Sequence, residues 1–315
     1  MITFKAFGRA ALAAALSLTG AAAAHADEPI FGYIYTTDLL PKGQKEVEQW
    51  ATLREGRSQG DFHVLQTRTE LSYGVTDRLQ VSGYLNLAYA DVLHDAPTGD
   101  TVPPEVFADY YSDPNGRFQK FRLESVSVEG MYRLTSPYTS PIGLAVYVEP
   151  SVGPNTRELE ARVILQKNFI DDRLVIAANA TLGYEWRKLH GDPSADPASI
   201  DFIDHWDKET DVNFGLAASY RFAANWSAAA ELQNEHEFAG LNPFDSSQRT
   251  NLAWYSGPTL HYAGRHMFAT ATVLFQLPWA HDYANSGPDS AVVNGISNAD
   301  DFEKYRFRFK VGYYF

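Results

Sequence analysis

The sequence predicts an all-β fold, a transmembrane antiparallel up-and-down β-barrel of about 12 strands. Three observations predict it. Segments with period-two alternation of apolar and polar residues recur along the chain. The connections between them alternate between tight turns and longer polar loops, as in barrels of the outer membrane of Gram-negative bacteria. The last segment is an aromatic-faced strand that ends on Phe315.

The N-terminus reads as an export signal. Lys5 and Arg9 supply a positive start, Ala10 to Ala24 form a short apolar stretch, and Ala24-His25-Ala26 is an A-x-A cleavage site. The expected organisation is a signal peptide over 1–26 and one barrel domain over 27–315, delivered to the cell outer membrane.

Composition narrows the classes. The chain has 26 basic and 39 acidic residues, a formal net charge of −13, which argues against a nucleic-acid partner. It has no cysteine, so a lipoprotein anchor, disulfides and thiolate zinc sites are excluded. After the signal no apolar run is long enough for a membrane helix. The mean hydropathy of −0.30 is compatible with a barrel, where only alternate residues meet lipid. Aromatic residues, 14% of the chain, suit girdles at the two interfaces.

Alternation is clearest at the end. Tyr305, Phe307, Phe309, Val311, Tyr313 and Phe315 share one face, and Lys304, Arg306, Arg308 and Lys310 the other. Such a terminus resembles the signature read by the barrel-assembly machinery, which implies roles for Tyr313 and Phe315 in assembly. Eleven more segments precede it, near 46–57, 63–76, 79–92, 118–134, 142–153, 156–169, 174–189, 208–222, 226–238, 250–264 and 266–280. Ten or fourteen strands stay open as alternatives. Parity shifts near Glu124, which predicts a β-bulge or a misplaced boundary. Tight connections at 77–78, 170–173, 223–225 and 264–265, with a longer one at 135–141, read as periplasmic turns. Long ones at 93–117, 190–207, 239–249 and 281–302 read as external loops.

The set opposite the lipid face is charged. Glu46, Glu48, Arg54, Arg68, Glu70, Glu185, Arg187, Glu231, Glu235, Lys304, Arg306, Arg308 and Lys310 fall on expected lumen positions, with Glu149, Glu158, Glu160, Arg162 and Arg221. A lumen knitted shut by ion pairs and a pore whose charges screen small solutes both satisfy this pattern. Pairing of the first and last strands would set the basic ladder beside the strand holding Glu46, Glu48 and Arg54. That predicts either neutralisation across the seam or an anion-attracting strip facing Glu231 and Glu235.

The stretch FGYIYTTDLLPKGQKEVEQW, followed by TELSYGVTDRLQ, resembles a group of bacterial outer-membrane proteins grouped loosely with transporters, including barrels encoded beside phenol-degradation genes. The match covers about residues 31–90. It implies an outer-membrane barrel and carries over no substrate and no catalytic residue.

Enzymatic motifs are missing. G-x-S-x-G, H-E-x-x-H and a Gly-rich phosphate loop do not occur. Glu235-His236-Glu237 alternate faces and cannot converge on one metal, so no metal, cofactor or catalytic residue is assigned. Loop 190–207 is acidic, with Asp192, Asp196, Asp201, Asp204 and Asp207. It reads as a solvated loop or as a weak site for the divalent cations that bridge lipopolysaccharide. Trp206 and Tyr283 are expected near the outer headgroups. The expected function is a channel for small solutes among outer-membrane lipid and lipopolysaccharide. The alternatives are an occluded structural or surface-interaction barrel and, less favoured, a membrane-embedded hydrolase.

Overall fold

Alternating side chains and tight turns close the chain on itself. In the computed structural model twelve antiparallel strands form the wall: β1 (Lys45–Glu55), β2 (Asp61–Thr76), β3 (Leu79–Leu93), β4 (Phe118–Thr135), β5 (Gly143–Val152) and β6 (Thr156–Phe169), then β7 (Leu174–Leu189), β8 (His205–Ala223), β9 (Trp226–Ala239), β10 (Arg249–Ala263), β11 (Met267–Gln276) and β12 (Tyr305–Tyr314). The structure describes residues 29–315 other than 58, 194, 284–289, 294, 295, 300 and 301. The expected signal peptide, 1–26, lies outside the described residues. Each strand pairs with the next, and β12 pairs with β1, Glu46 opposite Tyr314 and Glu55 opposite Tyr305. Closure leaves no unpaired edge, as a hydrocarbon surrounding requires.

The outer surface carries the apolar set: Leu71, Val128, Phe214, Leu216, Phe222 and Phe309 are all exposed. Aromatic pairs mark both ends of this band, Trp226 with Tyr262 beside the short turns and Phe275 with Tyr305 at the other end. Both chain ends of the barrel lie at the short-turn end, where Lys45 and Phe315 exchange backbone hydrogen bonds. This is the periplasmic end by the asymmetry of barrel loops. The parity shift in β4 is a bulge. Asn86 pairs with Ser125 and Leu87 with Leu123, so Glu124 is the extra residue.

Two expectations change. Segment 94–117 is not a purely external loop. A short 3-10 turn, Glu105–Phe107, folds inward, and Phe107 packs on Phe62, Val64, Ala88, Val92 and Phe118 of the inner wall. Arg122 holds it through the Val106 carbonyl and Asp109, and Asp95 through Arg57 and the Val102 N–H. Two connections at the outer end, 56–60 and 153–155, are short, so the alternation of loop lengths is less strict than the sequence suggested.

Candidate functional site

The residues ahead of β1 do not lie outside the barrel. Segment 29–44 crosses the lumen at its periplasmic end, held by inward side chains that bond to its backbone. The Glu231 carboxylate accepts the N–H groups of Gly32, Tyr33 and Ile34 at 2.6, 2.9 and 3.2 Å. Asn179 accepts from the Tyr35 N–H at 2.7 Å and donates to the Tyr35 carbonyl at 2.9 Å. Gln166 accepts from the Thr37 N–H at 2.7 Å, and Gln80 from the Leu40 N–H at 2.8 Å. Single polar side chains on β9, β7, β6 and β3 thus satisfy a backbone with no strand partner, meeting the requirement that buried N–H groups be paired.

Apolar contacts complete the seat. Phe31 and Ile34 pack on Ala177 and Ala217, with Ala229 beside them. Leu39 lies on Met131, Ala145, Tyr147 and Ile164, and Leu40 on Phe268 and Tyr314. The small residues of β7 to β9 therefore make room for the segment. Gly74 does the same for its end, since a Cβ there would meet the Pro41 and Leu40 carbonyl oxygens. The chain then turns through Pro41-Lys42-Gly43-Gln44, with Gly43 at φ 87° and the Gln44 N–H donating to the Pro41 carbonyl at 3.0 Å. That positive φ is the glycine position of a type II turn.

Above the segment, polar cavities follow one another along the lumen. The middle one, 230 Å³, touches Tyr33, Ile34 and Tyr35 and is walled by Arg68, Glu149, Arg162 and Arg308. A second, 170 Å³, shares Trp50, Arg68, Glu149 and Arg308 with it. A third, 130 Å³, shares Gln66, Glu124, Ser125, Ser151 and Glu158 with the second and reaches Glu105 on the inward loop. On the periplasmic side a 50 Å³ cavity meets the middle one at Ile34, Tyr35 and Trp50. Those residues are the partition.

The charged residues expected in the lumen sit largely as pairs. Arg68 binds Glu149 at 2.5 Å and lies 3.6 Å from the Tyr84 ring centre. Arg162 pairs with Glu160 at 2.7 Å, and Arg187 with Glu185 and Glu209 at 2.8 and 3.1 Å. Arg306 reaches Glu235 and Glu303, and Arg54 binds Glu303 at 2.7 Å. Glu46, Glu48, Glu70 and Lys310 surround the periplasmic cavity, with Lys310 3.8 Å from the Trp50 ring centre. Arg308 differs: it donates to Thr52 at 2.8 Å and to the Gly32 carbonyl at 3.2 Å, over the Tyr33 ring.

Across the seam between β1 and β12, Glu48 lies diagonal to Lys310, and both wall the periplasmic cavity. Arg54 stands opposite Arg306, Thr52 opposite Arg308 and Trp50 opposite Lys310. Arg306 finds the carboxylates of Glu303 and of Glu235 on β9, and Arg54 that of Glu303, while Arg308 pairs with no carboxylate among the described residues. Lys304 precedes β12 and sits at the rim, its N–H bonded to the Gly56 carbonyl. Tyr313 and Phe315 are exposed on the outer surface at the periplasmic end.

The outer mouth gathers carboxylates that the sequence did not bring together. Carboxylate oxygens of Glu105, Glu209 and Glu237 lie within 4.8 Å of one another, with Arg187 among them. In the acidic loop 190–204, Asp204 is held by the Gly191 N–H at 3.0 Å and by Lys188 at 3.1 Å, which push its carboxyl below the usual range. Asp196 and Asp201 serve local turns through Ala198 and Ser199. Trp206 and Tyr283 are both exposed.

A model described as "Family of unknown function (DUF6662)" matches residues 23–315, and the chain belongs to that family. Comparison with curated proteins gives no significant match. Among solved structures the chain is similar to the COG4313 outer membrane channel from Pseudomonas putida F1, with TM-score 0.54, 12% identity, 89% of this chain and 98% of that one covered. It is also similar to the translocator domain of the autotransporter NalP from Neisseria meningitidis, with TM-score 0.51, 9% identity and 88% and 90% coverage. The NanC porin aligns at TM-score 0.46 and 12% identity over 85% and 98% of the two chains. The fold is that of outer-membrane barrels.

Proposed function

We propose that this member of the DUF6662 family is a narrow outer-membrane channel for small polar solutes, in which segment 29–44 forms the constriction. The observation that carries this reading is the run of polar cavities sharing walls from the outer mouth to Ile34 and Tyr35. A barrel serving only as a scaffold has no need of such a path, and rings of charged side chains are what a pore uses to screen solutes. A second reading is an occluded barrel with a structural or surface-interaction role. It is favoured by the inward turn at Glu105–Phe107 at one end and segment 29–44 at the other. Neither reading assigns a reaction to the protein. Tyr313 and Phe315 serve assembly, and the outer apolar band meets lipid and lipopolysaccharide. Liposome swelling with sugars, amino acids and organic acids of graded size tests the channel reading. Size-limited swelling is expected, and no swelling with any solute supports the occluded barrel.

A further inference from the structure

The 170 Å³ cavity is unusual in its unmatched charges. It lies where the outer reach of the lumen joins the middle one. One of its ion pairs, Arg68 with Glu149, is closed. Three other ionisable groups on its wall have no ionic partner among the described residues. Arg308 comes from β12, and its Nε and Nη1 are taken by the Thr52 hydroxyl and the Gly32 carbonyl. Its Nη2 has no protein acceptor among the described residues. Glu124 is the bulge residue of β4, which the extra residue turns into the lumen, and it accepts only the neutral Gln66 amide at 2.8 Å. Glu158 faces the same space from β6.

Isolated charges withdrawn from bulk water are costly, and an opposite charge brought beside them offsets that cost. Here an unpaired guanidinium and two carboxyl groups without a cationic partner share one cavity wall. A monovalent anion would answer Arg308 and leave the carboxylates unmatched, while a simple cation would do the reverse. A solute carrying an ammonium and a carboxylate answers both. The remaining wall is hydroxyl and amide, from Thr52, Asn86, Ser125 and Ser151, with Trp50 as its aromatic member. At about 30 Å³ per water the space holds about six waters, room for a solute of roughly six to eight non-hydrogen atoms. The carboxylates at the outer mouth, Glu105, Glu209 and Glu237, give the ammonium end an approach.

We propose that this cavity is a binding site for a small zwitterion of the amino-acid type, with its carboxylate on Arg308 and its ammonium toward Glu124 and Glu158. The proposal deepens the channel reading by naming its solute class. Binding is measured without conduction, so a conducting protein that binds no zwitterion sinks the solute class alone.

The test is calorimetric titration of the purified full chain in detergent at low salt. The probes are glycine, γ-aminobutyrate and ε-aminocaproate, each against the acid and the amine of matched length. At least one zwitterion is expected to bind about tenfold or more tighter than both of its singly charged analogues, since charge-assisted contacts are the strong ones. R308Q should abolish the advantage over the amine, and E158Q together with E124Q the advantage over the acid. Equal affinities within each matched set, or no binding by any probe to the heat-modifiable native barrel, would overturn it. The comparison among ligands on the unsubstituted protein decides even where a variant fails to fold.

Discussion

The Glu231 carboxylate is the strongest hold on segment 29–44, and replacing it by glutamine should loosen the segment without opening the wall. Glu231 is 1% exposed and accepts three backbone N–H groups from consecutive residues, at 2.6 to 3.2 Å, with the Thr259 hydroxyl as a further donor. Hydrogen bonds to a charged group contribute about 1.5–3 kcal/mol and neutral ones about 0.5–1.5. Neutralising the acceptor therefore loses about 1 kcal/mol for each of three bonds, or about 3 kcal/mol. The glutamine NH2 would also face an N–H where an oxygen now stands. At about 1.4 kcal/mol per factor of ten, the undocked fraction should rise roughly 100-fold. The chain has no cysteine, so T37C supplies a single thiol at a position that is fully buried in the docked segment. Maleimide labelling of T37C and T37C/E231Q barrels then reads the undocked fraction directly. A labelling rate that changes by less than about threefold, with the barrel still heat-modifiable, would refute the assignment of Glu231 as the main hold.

Gly74→Ala should displace the same segment by another route. Its Cβ would meet the Pro41 and Leu40 carbonyl oxygens, which are backbone and cannot swing aside, so a loss of about 1–3 kcal/mol in urea unfolding is expected. Loop 190–204 should loosen in acid. The Asp204 carboxyl is lowered first by the Gly191 N–H and then by Lys188, so its support is complete above the ordinary aspartate range and is lost as pH falls through its lowered value. Protease cleavage of the loop should rise in that acidic window, and D204N should show the same cleavage at neutral pH. Deleting Phe315 should reduce folded barrel in cells, seen as loss of heat-modifiable migration, while refolding from urea into detergent proceeds as in the full chain.

Much of the wall was legible because a lipid-facing strand must alternate. The segments expected at 156–169 and 174–189 coincide with β6 and β7, and the parity shift at Glu124 located a real bulge. What escaped the sequence has no period to detect. Segment 29–44 adopts no regular structure, and its backbone is satisfied by side chains far along the chain, Gln80, Gln166, Asn179 and Glu231. The signal that could have found it is indirect: alanines at inward positions 177, 217 and 229, where an open lumen has no use for small residues. Phe107 gave a comparable hint, an apolar residue in a segment read as an external loop. Arg68, Glu149, Arg162 and Arg308 line the cavities, but alternation carries no information about which charge pairs with which. Arg54 and Arg306 meet at Glu303, a loop residue that strand pairing alone could not bring to the seam.

The channel reading is tested most directly by single-channel recording in planar bilayers, comparing the full chain with a variant lacking residues 29–40. The lumen path and the partition at Ile34 and Tyr35 predict small discrete conductance steps for the full chain and distinctly larger ones for the shortened chain. Silence from both, with folded protein inserted in the bilayer, would contradict it and leave the barrel a closed, salt-bridged wall.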